Sequence, residues 1–176
     1  MEEIKDTNIT EQELSEVLQI RRDKLANLRA EGNDPFVKTK YDYTNYTAEI
    51  KADFDSFNEK TVKLAGRIMS RRIMGKASFF NIQDSKGNIQ AYIRRDDVGE
   101  DNYAAFKKWD IGDIVGVEGF IFLTKTGEIS IHTQSIELLA KSLLPLPEKF
   151  HGLRDNDLRY RQRYVDLIVN PEVRDV

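Results

Sequence analysis

The feature that most constrains this fold is a series of short alternating segments that begins at residue 61. From there apolar and polar residues alternate with period two, which is typical of half-buried β-strands. Val62, Leu64 and Ile68 mark the apolar face of the first segment. Turn residues separate it from four more segments, and one helical pattern interrupts the series. The predicted strands cover residues 61–70, 78–83, 89–95, 114–123 and 128–138, and the predicted helix covers residues 101–109.

This order of three strands, one helix and two strands favours an OB-fold, a five-stranded Greek-key barrel that binds oligonucleotides. Another small barrel, or half of a larger sheet, is the alternative. The predicted class is therefore mainly β with helices. We expect a five-stranded OB-fold barrel over residues 61–143, an N-terminal helical extension over residues 1–60, and a C-terminal linker over residues 144–176.

The extension is predicted to contain a long helix over residues 10–31 and a short one over residues 46–55. Thr10 and Glu13 have the spacing of a capping box, and Gly32 supplies a stop signal. Apolar residues recur at helical spacing and predict the packed face, namely Leu14, Val17, Leu18, Leu25 and Leu28. The opposite face is predicted to carry Glu16, Arg22, Lys24 and Arg29.

Composition excludes several kinds of function. The 176 residues include no cysteine, which removes disulfides, thiol nucleophiles and Cys–zinc sites. The apolar runs are too short to span a bilayer, and the acidic first residues do not resemble a secretory signal. His132 and His151 are interpreted as satisfied or exposed polar side chains. We therefore expect a cytoplasmic protein with no membrane association, no catalytic residues and no metal site in this chain.

Charge is distributed unevenly along the chain. The net charge is −3, yet residues 61–95 hold eight basic residues and a single acid, Asp84, a local net charge of +7. A basic patch of this kind is the electrostatic footprint of a protein that binds polyanions. A solvated strand face is the alternative interpretation.

The same window contains the residue types that bind single-stranded nucleic acid. Phe79 and Phe80 are adjacent in a strand, so that one ring points outward and can stack on a base, unless both rings belong to the core. Gln90 can donate to and accept from a base edge, and Glu128 follows a turn where it can accept from a base donor. The supporting cations are Arg67, Arg71, Arg72 and Lys76.

Four strings of this sequence closely resemble bacterial class II lysyl-tRNA synthetases. They lie at residues 66–79, 106–113, 149–153 and 159–167. The resemblance implies that the barrel binds the uridine-rich anticodon of tRNA(Lys), with the middle uridine stacked on Phe79 and bonded to Gln90. It also implies contacts by Arg71 and Glu128, a core position for Phe80, and cationic contacts from the N-terminal helix.

The resemblance further implies a catalytic domain downstream of this chain, whose start residues 144–176 would provide. The full-length enzyme of this family uses ATP and magnesium to attach lysine to tRNA and forms a homodimer. This chain alone is expected to bind the tRNA(Lys) anticodon stem-loop without a cofactor, to bind no DNA, and not to aminoacylate. A sequence-tolerant single-stranded nucleic-acid-binding OB module and a protein-interaction barrel are the alternatives.

Overall fold

The computed structural model describes residues 11–146 and residue 168. The chain divides into two compact units, Met1–Leu143 and Leu144–Val176. The first unit contains all the named elements. The predicted cap at Thr10, His151 and nearly all of the predicted linker lie outside the described residues.

The strands are β1 (Thr61–Met74), β2 (Ala77–Gln83), β3 (Asn88–Arg94), β4 (Ile114–Leu123) and β5 (Ile129–Ala140). The helices are α1 (Glu11–Ala30), α2 (Thr47–Ala52), α3 (Phe54–Phe57), α4 (Arg95–Val98) and α5 (Glu100–Lys108), with a 3₁₀ turn at Pro35–Val37.

The five strands close into a barrel in the order β1-β2-β3-β5-β4, with β4 paired back to β1. All neighbours are antiparallel except β3 and β5, which run parallel. A parallel pair needs a crossover connection, and here α4, α5 and β4 separate the two strands in sequence. This is the OB-fold topology, and it confirms the predicted fold class.

The barrel interior is filled by the inward residues of each strand together with one end of α5. Leu64, Ile82 and Ile93 are fully buried, as the period-two pattern predicted. Phe106 of α5 is also fully buried, and its ring lies 5.0 Å from that of Phe80. The helix between β3 and β4 therefore closes one end of the barrel.

One predicted helix is divided in the structure, and another is preceded by a short helix that was not predicted. The one predicted at residues 46–55 is divided into α2 and α3 by Asp53, whose backbone is not helical (φ −136°, ψ 59°). A short helix, α4, precedes α5, and Gly99 separates the two with a φ of +92°. That left-handed region is accessible to glycine without steric cost, which is why the chain turns there.

Helix α1 packs on the barrel with most of the predicted face, since Val17, Leu18 and Leu28 are half-buried, but two basic residues also take part in the contact. Leu25 is buried as expected, but Leu14 is 39% exposed. Lys24, predicted to lie on the opposite face, bonds Asp110 at 2.8 Å. Arg21 is also buried, and it donates to the carbonyls of Ser142 at 3.0 Å and Ile111 at 3.2 Å. Apolar spacing missed Arg21 and Lys24 because these cations are held in the contact by bonds to backbone carbonyls and a carboxylate.

A buried ion cluster lies beneath this contact. The Nζ of Lys141 bonds Asp110 at 2.5 Å and both oxygens of Asp113, at 2.9 and 2.8 Å. Asp113 also accepts from the backbone N–H groups of Ser142 and Asp110, each at 2.9 Å. The side chains of Lys141 and Asp113 are only 1% and 0% exposed. The cluster joins the end of β5 to the turn that precedes β4.

Acid is expected to weaken this cluster through Asp110. Burial acts to raise the pKa of Asp110, but hydrogen bonds from Lys141 and Lys24 outweigh it and hold that pKa below its ordinary value. A carboxyl whose folded pKa is lowered stabilises the fold fully above its unfolded pKa of about 3.9. The contribution is lost as pH falls through the lower folded value.

Urea unfolding between pH 7 and pH 2 would measure this effect. We expect no change attributable to Asp110 above about pH 5 and a progressive loss of stability below about pH 4. The Asp110→Asn variant removes this titration, so its acid limb should be shallower. An equally steep acid limb in the variant would contradict the assignment.

Candidate nucleic-acid interface

An open groove of about 890 Å³ crosses the outer face of β1, β2 and β3. The end of β4 and the loop that follows it, residues 122–126, form one wall. The side chains relevant to ligand binding are Arg72, Phe79, Asn81, Gln90, Tyr92, Phe122 and Lys125. The groove therefore combines aromatic rings, amides and cations, which is the composition that single-stranded nucleic acids require.

A β-bulge in β1 decides which arginine faces the groove. The pairing of β1 with β2 shifts between Ile68 and Ser70, so that Arg71 is opposite Phe80 and Arg72 is opposite Phe79. Residues directly opposite on paired strands point to the same face. Arg72 is accordingly exposed beside Phe79, whereas Arg71 shares the side of the buried Phe80.

The guanidinium of Arg71 contacts the C-terminal end of α5. It donates to the carbonyls of Phe106 at 3.2 Å and Lys107 at 3.4 Å, and also to that of Trp109. Cations are favourable there because the last carbonyls of a helix lack intrahelical partners. Arg71 thus borders the groove, but its guanidinium is bonded to the carbonyls at the C-terminal end of α5.

Phe79 forms an aromatic platform with Tyr92 of β3. Their rings lie 4.9 Å apart and are tilted by 36°. Phe79 is half-buried and lines the groove, whereas Phe80 is only 2% exposed. The alternative in which both phenylalanines belong to the core is therefore wrong, since a face of the Phe79 platform is open to a ligand.

A hydrogen-bonded histidine supports this platform from behind. The ring of His132 lies edge-on to Tyr92 at 5.3 Å and stacks on Phe120 at 4.6 Å. Its Nε2 is 2.6 Å from Asp97. Hydrogen bonds from Arg94, and then from His132, lower the pKa of Asp97 and keep it ionised. His132 is a satisfied polar group within the strand, as the sequence predicted.

Of three further residues predicted for the site, Gln90 lines the groove, whereas Glu128 and Lys76 do not. Gln90 is half-buried on the groove face of β3. Glu128 is exposed just past the loop 124–127 and is not among the residues that line the groove. Lys76 is exposed in the β1–β2 turn and also lies outside the lining. The structure thus brings Phe79, Gln90 and Arg72 together and leaves Glu128 and Lys76 at its margin.

Arg67 is held away from the groove. It donates to the carbonyl of Gly112 at 2.7 Å, and burial lowers its pKa although nearby Asp113 acts in the opposite direction. Its position on β1 is opposite Ile114 and Gln83, before the bulge. Arg67 therefore fixes the turn that precedes β4.

Sequence reasoning missed Tyr92, Asn81 and Phe122. A signal for the first was available, because Tyr92 is two residues after Gln90 and must share its face of β3. Asn81 follows from Phe79 by the same rule on β2. Phe122 reaches the groove only through the β4–β5 pairing, which sequence spacing does not specify.

Two further observations concern the described residues as a whole. Within residues 11–146, no three histidine, aspartate or glutamate side chains are grouped as a metal site would require. In the same part of the chain, no helix has the length and apolar character needed to cross a bilayer.

Comparison with known proteins finds a family that is similar to the barrel. Residues 62–139 match the tRNA anticodon family, described as an OB-fold nucleic acid binding domain. The barrel is thus similar to the OB-fold domain of that family. This match covers all but the outermost residues of the five strands and includes the whole candidate groove.

Relatives of the whole chain are lysine–tRNA ligases. The chain is 56% identical over 165 residues to the lysine–tRNA ligase of Thermoanaerobacter sp. (strain X514) and 54% identical over 165 residues to that of Clostridium tetani. It is 51% identical over 168 residues to the enzyme of Clostridium botulinum. These alignments cover 94–96% of this chain and 33% of each relative, so the chain spans about a third of the length of the curated relatives it matches. They confirm the resemblance stated from the four strings.

Proposed function

We propose that the OB-fold domain recognises the anticodon of tRNA(Lys), as part of a lysine–tRNA ligase. The observation that carries this proposal is the Phe79–Tyr92 platform with Gln90 beside it in an open groove. Such a platform stacks an unpaired base, and an adjacent amide reads that base's edge. The similarity to lysine–tRNA ligases supports tRNA(Lys) as the nucleic acid.

In this proposal each groove residue has one task. The middle uridine of the anticodon stacks on Phe79, and Gln90 bonds its edge. Arg72 and Lys125, both exposed at the groove, neutralise the phosphates that follow the base. Arg71 supports the groove through its bonds to α5, and Glu128 contacts a neighbouring base from the loop.

The complete ligase would attach lysine to tRNA in the cytoplasm with ATP and magnesium, as a homodimer. Among the described residues we identify no group of side chains that would perform this chemistry. We accordingly expect the 176-residue chain to bind the stem-loop and not to aminoacylate it.

Replacing Phe79 by alanine should weaken binding of a UUU anticodon stem-loop by roughly 5- to 150-fold, because base stacking on an aromatic ring contributes about 1–3 kcal/mol. Fluorescence anisotropy at one fixed salt concentration would measure the dissociation constants of both proteins. A second stem-loop, altered only at the middle base, reports base preference. We expect wild-type protein to prefer UUU and the variant to lose that preference.

Phe36→Ala is the matched control, since Phe36 is 45% exposed and lies outside the groove. It should bind UUU as wild type does. Equal wild-type affinity for both stem-loops would overturn anticodon recognition and favour a sequence-tolerant binder. No RNA binding at all would favour a protein-interaction barrel.

A further inference from the structure

The groove contains a second amide side chain beside Gln90, that of Asn81. Asn81 lies on β2 two residues after Phe79, so its side chain is on the same outer face of that strand. It is half-buried and lines the groove. Its polar atoms therefore face the space that a ligand would occupy.

The two amides differ in their bonds to the protein. The Oε1 of Gln90 accepts from the Oγ of Ser130 at 3.0 Å, and Ser130 lies directly opposite Gln90 in the parallel β3–β5 pair. Within the described residues 11–146, the amide of Asn81 has no hydrogen-bond partner. Both its NH₂ group and its carbonyl oxygen are therefore available to a ligand.

The strand register places Asn81 next to the edge of a stacked base. Asn81 is directly opposite Gln90 in the β2–β3 pair, and the neighbouring pair on the same face is Phe79 with Tyr92. The Cβ atoms of directly opposite residues are about 4.5–5.5 Å apart, so both amides can contact one small ligand. A base that stacks on Phe79 and extends its edge to Gln90 also extends it toward Asn81.

The neighbours of Asn81 suit a base better than a phosphate. Its partner on β1 is Ser70, and its partner on β3 is Gln90, so both are uncharged. The groove cation on β1, Arg72, is instead opposite Phe79. Phosphates are bound chiefly by cations, whereas base edges are bound by groups that both donate and accept.

We propose that Asn81 bonds the edge of the base that stacks on Phe79, so that two amides rather than one contact the middle uridine. The inference rests on the proposed function and adds a specificity-determining residue to it. Uracil presents an acceptor, a donor and a second acceptor in a row, at O4, N3–H and O2. An amide can donate to either oxygen or accept from N3–H, so two amides can engage two adjacent positions of this edge.

The test removes the polar edge of the middle base and keeps its ring. A difluorophenyl nucleoside with fluorine at the positions of both uracil oxygens, and C–H at that of N3–H, stacks but forms only weak hydrogen bonds. Fluorescence anisotropy gives the dissociation constants of the UUU stem-loop and of an analogue with this nucleoside in the middle. With UUU, Asn81→Ala should weaken binding by roughly 2- to 12-fold, the effect of one hydrogen bond. With the analogue, the variant and wild type should bind alike.

Three further variants sharpen the result. Asn33→Ala is the matched control, since Asn33 is an exposed amide outside the groove, and it should bind both stem-loops as wild type does. Asn81→Leu keeps approximately the volume of asparagine without its polar atoms and should reproduce the pattern of Asn81→Ala. Phe79→Ala should weaken both stem-loops, because it removes stacking and not an edge contact. Thermal melting of each variant checks that the barrel is folded.

The outcomes separate this inference from the proposed function. If wild type prefers UUU over a stem-loop altered at the middle base, but Asn81→Ala loses as much affinity for the analogue as for UUU, Asn81 does not contact this edge and anticodon recognition stands. Unchanged affinity of both folded Asn81 variants for UUU would overturn the inference in the same way. If wild type shows no preference at the middle base, the proposed function fails first. A loss with UUU that disappears with the analogue supports the inference.

Discussion

Replacing Lys141 by alanine is expected to lower the free energy of unfolding by about 3–5 kcal/mol, because it leaves the buried carboxylate of Asp113 without its cation. Lys141 is the partner of Asp113, which is fully buried, and of Asp110. The Asp113 carboxylate, 0% exposed, cannot reach bulk water without opening the contact between β5 and the turn before β4, whereas Asp110 is 18% exposed and keeps its bond to Lys24. Urea unfolding at pH 7 would measure the loss.

Lys38→Ala provides the matched control, since Lys38 pairs with Glu137 at a site where both side chains are about 40% exposed. Exposed ion pairs contribute about 0–1 kcal/mol, so this variant should be nearly neutral. A double-mutant cycle with Asp113→Ala should give strong coupling between Lys141 and Asp113. A cost below about 1 kcal/mol for Lys141→Ala would show that the cluster is hydrated in solution.

The barrel was predictable because its signal is local. Each strand alternates inward and outward residues, and the turns between strands contain Gly, Asn, Asp and Ser. The predicted limits of β4 coincide with the observed ones, and those of β2 and β3 differ by a single residue. The packed face of α1 was less predictable, because two of its basic residues bond partners that are distant in sequence. Arg21 bonds the carbonyls of Ser142 and Ile111, and Lys24 bonds the carboxylate of Asp110.

The candidate site likewise contains some residues whose positions were predictable from the sequence and others whose positions were not. Period two predicts that one of Phe79 and Phe80 points outward, the family resemblance selects Phe79, and the structure brings Phe79 and Gln90 into one groove. The positions of Arg71 and Arg72 do not follow from it, because the bulge between Ile68 and Ser70 exchanges the faces of β1 beyond that point. The signal for a bulge is weak in one sequence, since any residue can occupy it. The contact between Ser130 and Gln90 depends on the parallel β3–β5 register, which only the closed barrel defines.

A second bulge, in the β4–β5 pair, makes Gly119 indispensable to the same site. The pairing shifts between Glu118 and Gly119 and places the backbone of β5 directly over Gly119. A Cβ added there would overlap the carbonyl oxygen of His132 and lie 2.7 Å from its carbonyl carbon. Because these are backbone atoms, no rotation of a side chain can relieve the overlap, and β5 itself must move.

Gly119→Ala is therefore expected to cost roughly 3 kcal/mol of stability, at the upper end of the range for overpacked cores. Gly87→Ala is the matched control, because the nearest atom to its added Cβ is a side-chain oxygen, that of Thr47, at 3.2 Å, whereas the nearest atom at Gly119 is a backbone oxygen at 1.9 Å. We expect the control to lose less than about 1 kcal/mol in urea unfolding. A similar cost for both variants would contradict the argument from backbone overlap.

Gly119→Ala is also expected to weaken RNA binding, which a substitution at a packing site remote from the groove would not do. Displacing β5 at His132 moves the ring that stacks on Phe120 and supports Tyr92. The platform under the uridine would shift with it, so affinity for the UUU stem-loop should fall even where the variant is fully folded. Anisotropy measurements at low temperature, with folding checked by circular dichroism, would detect this loss. Unchanged affinity in the folded variant would mean that Phe79 holds its position without the support of β5.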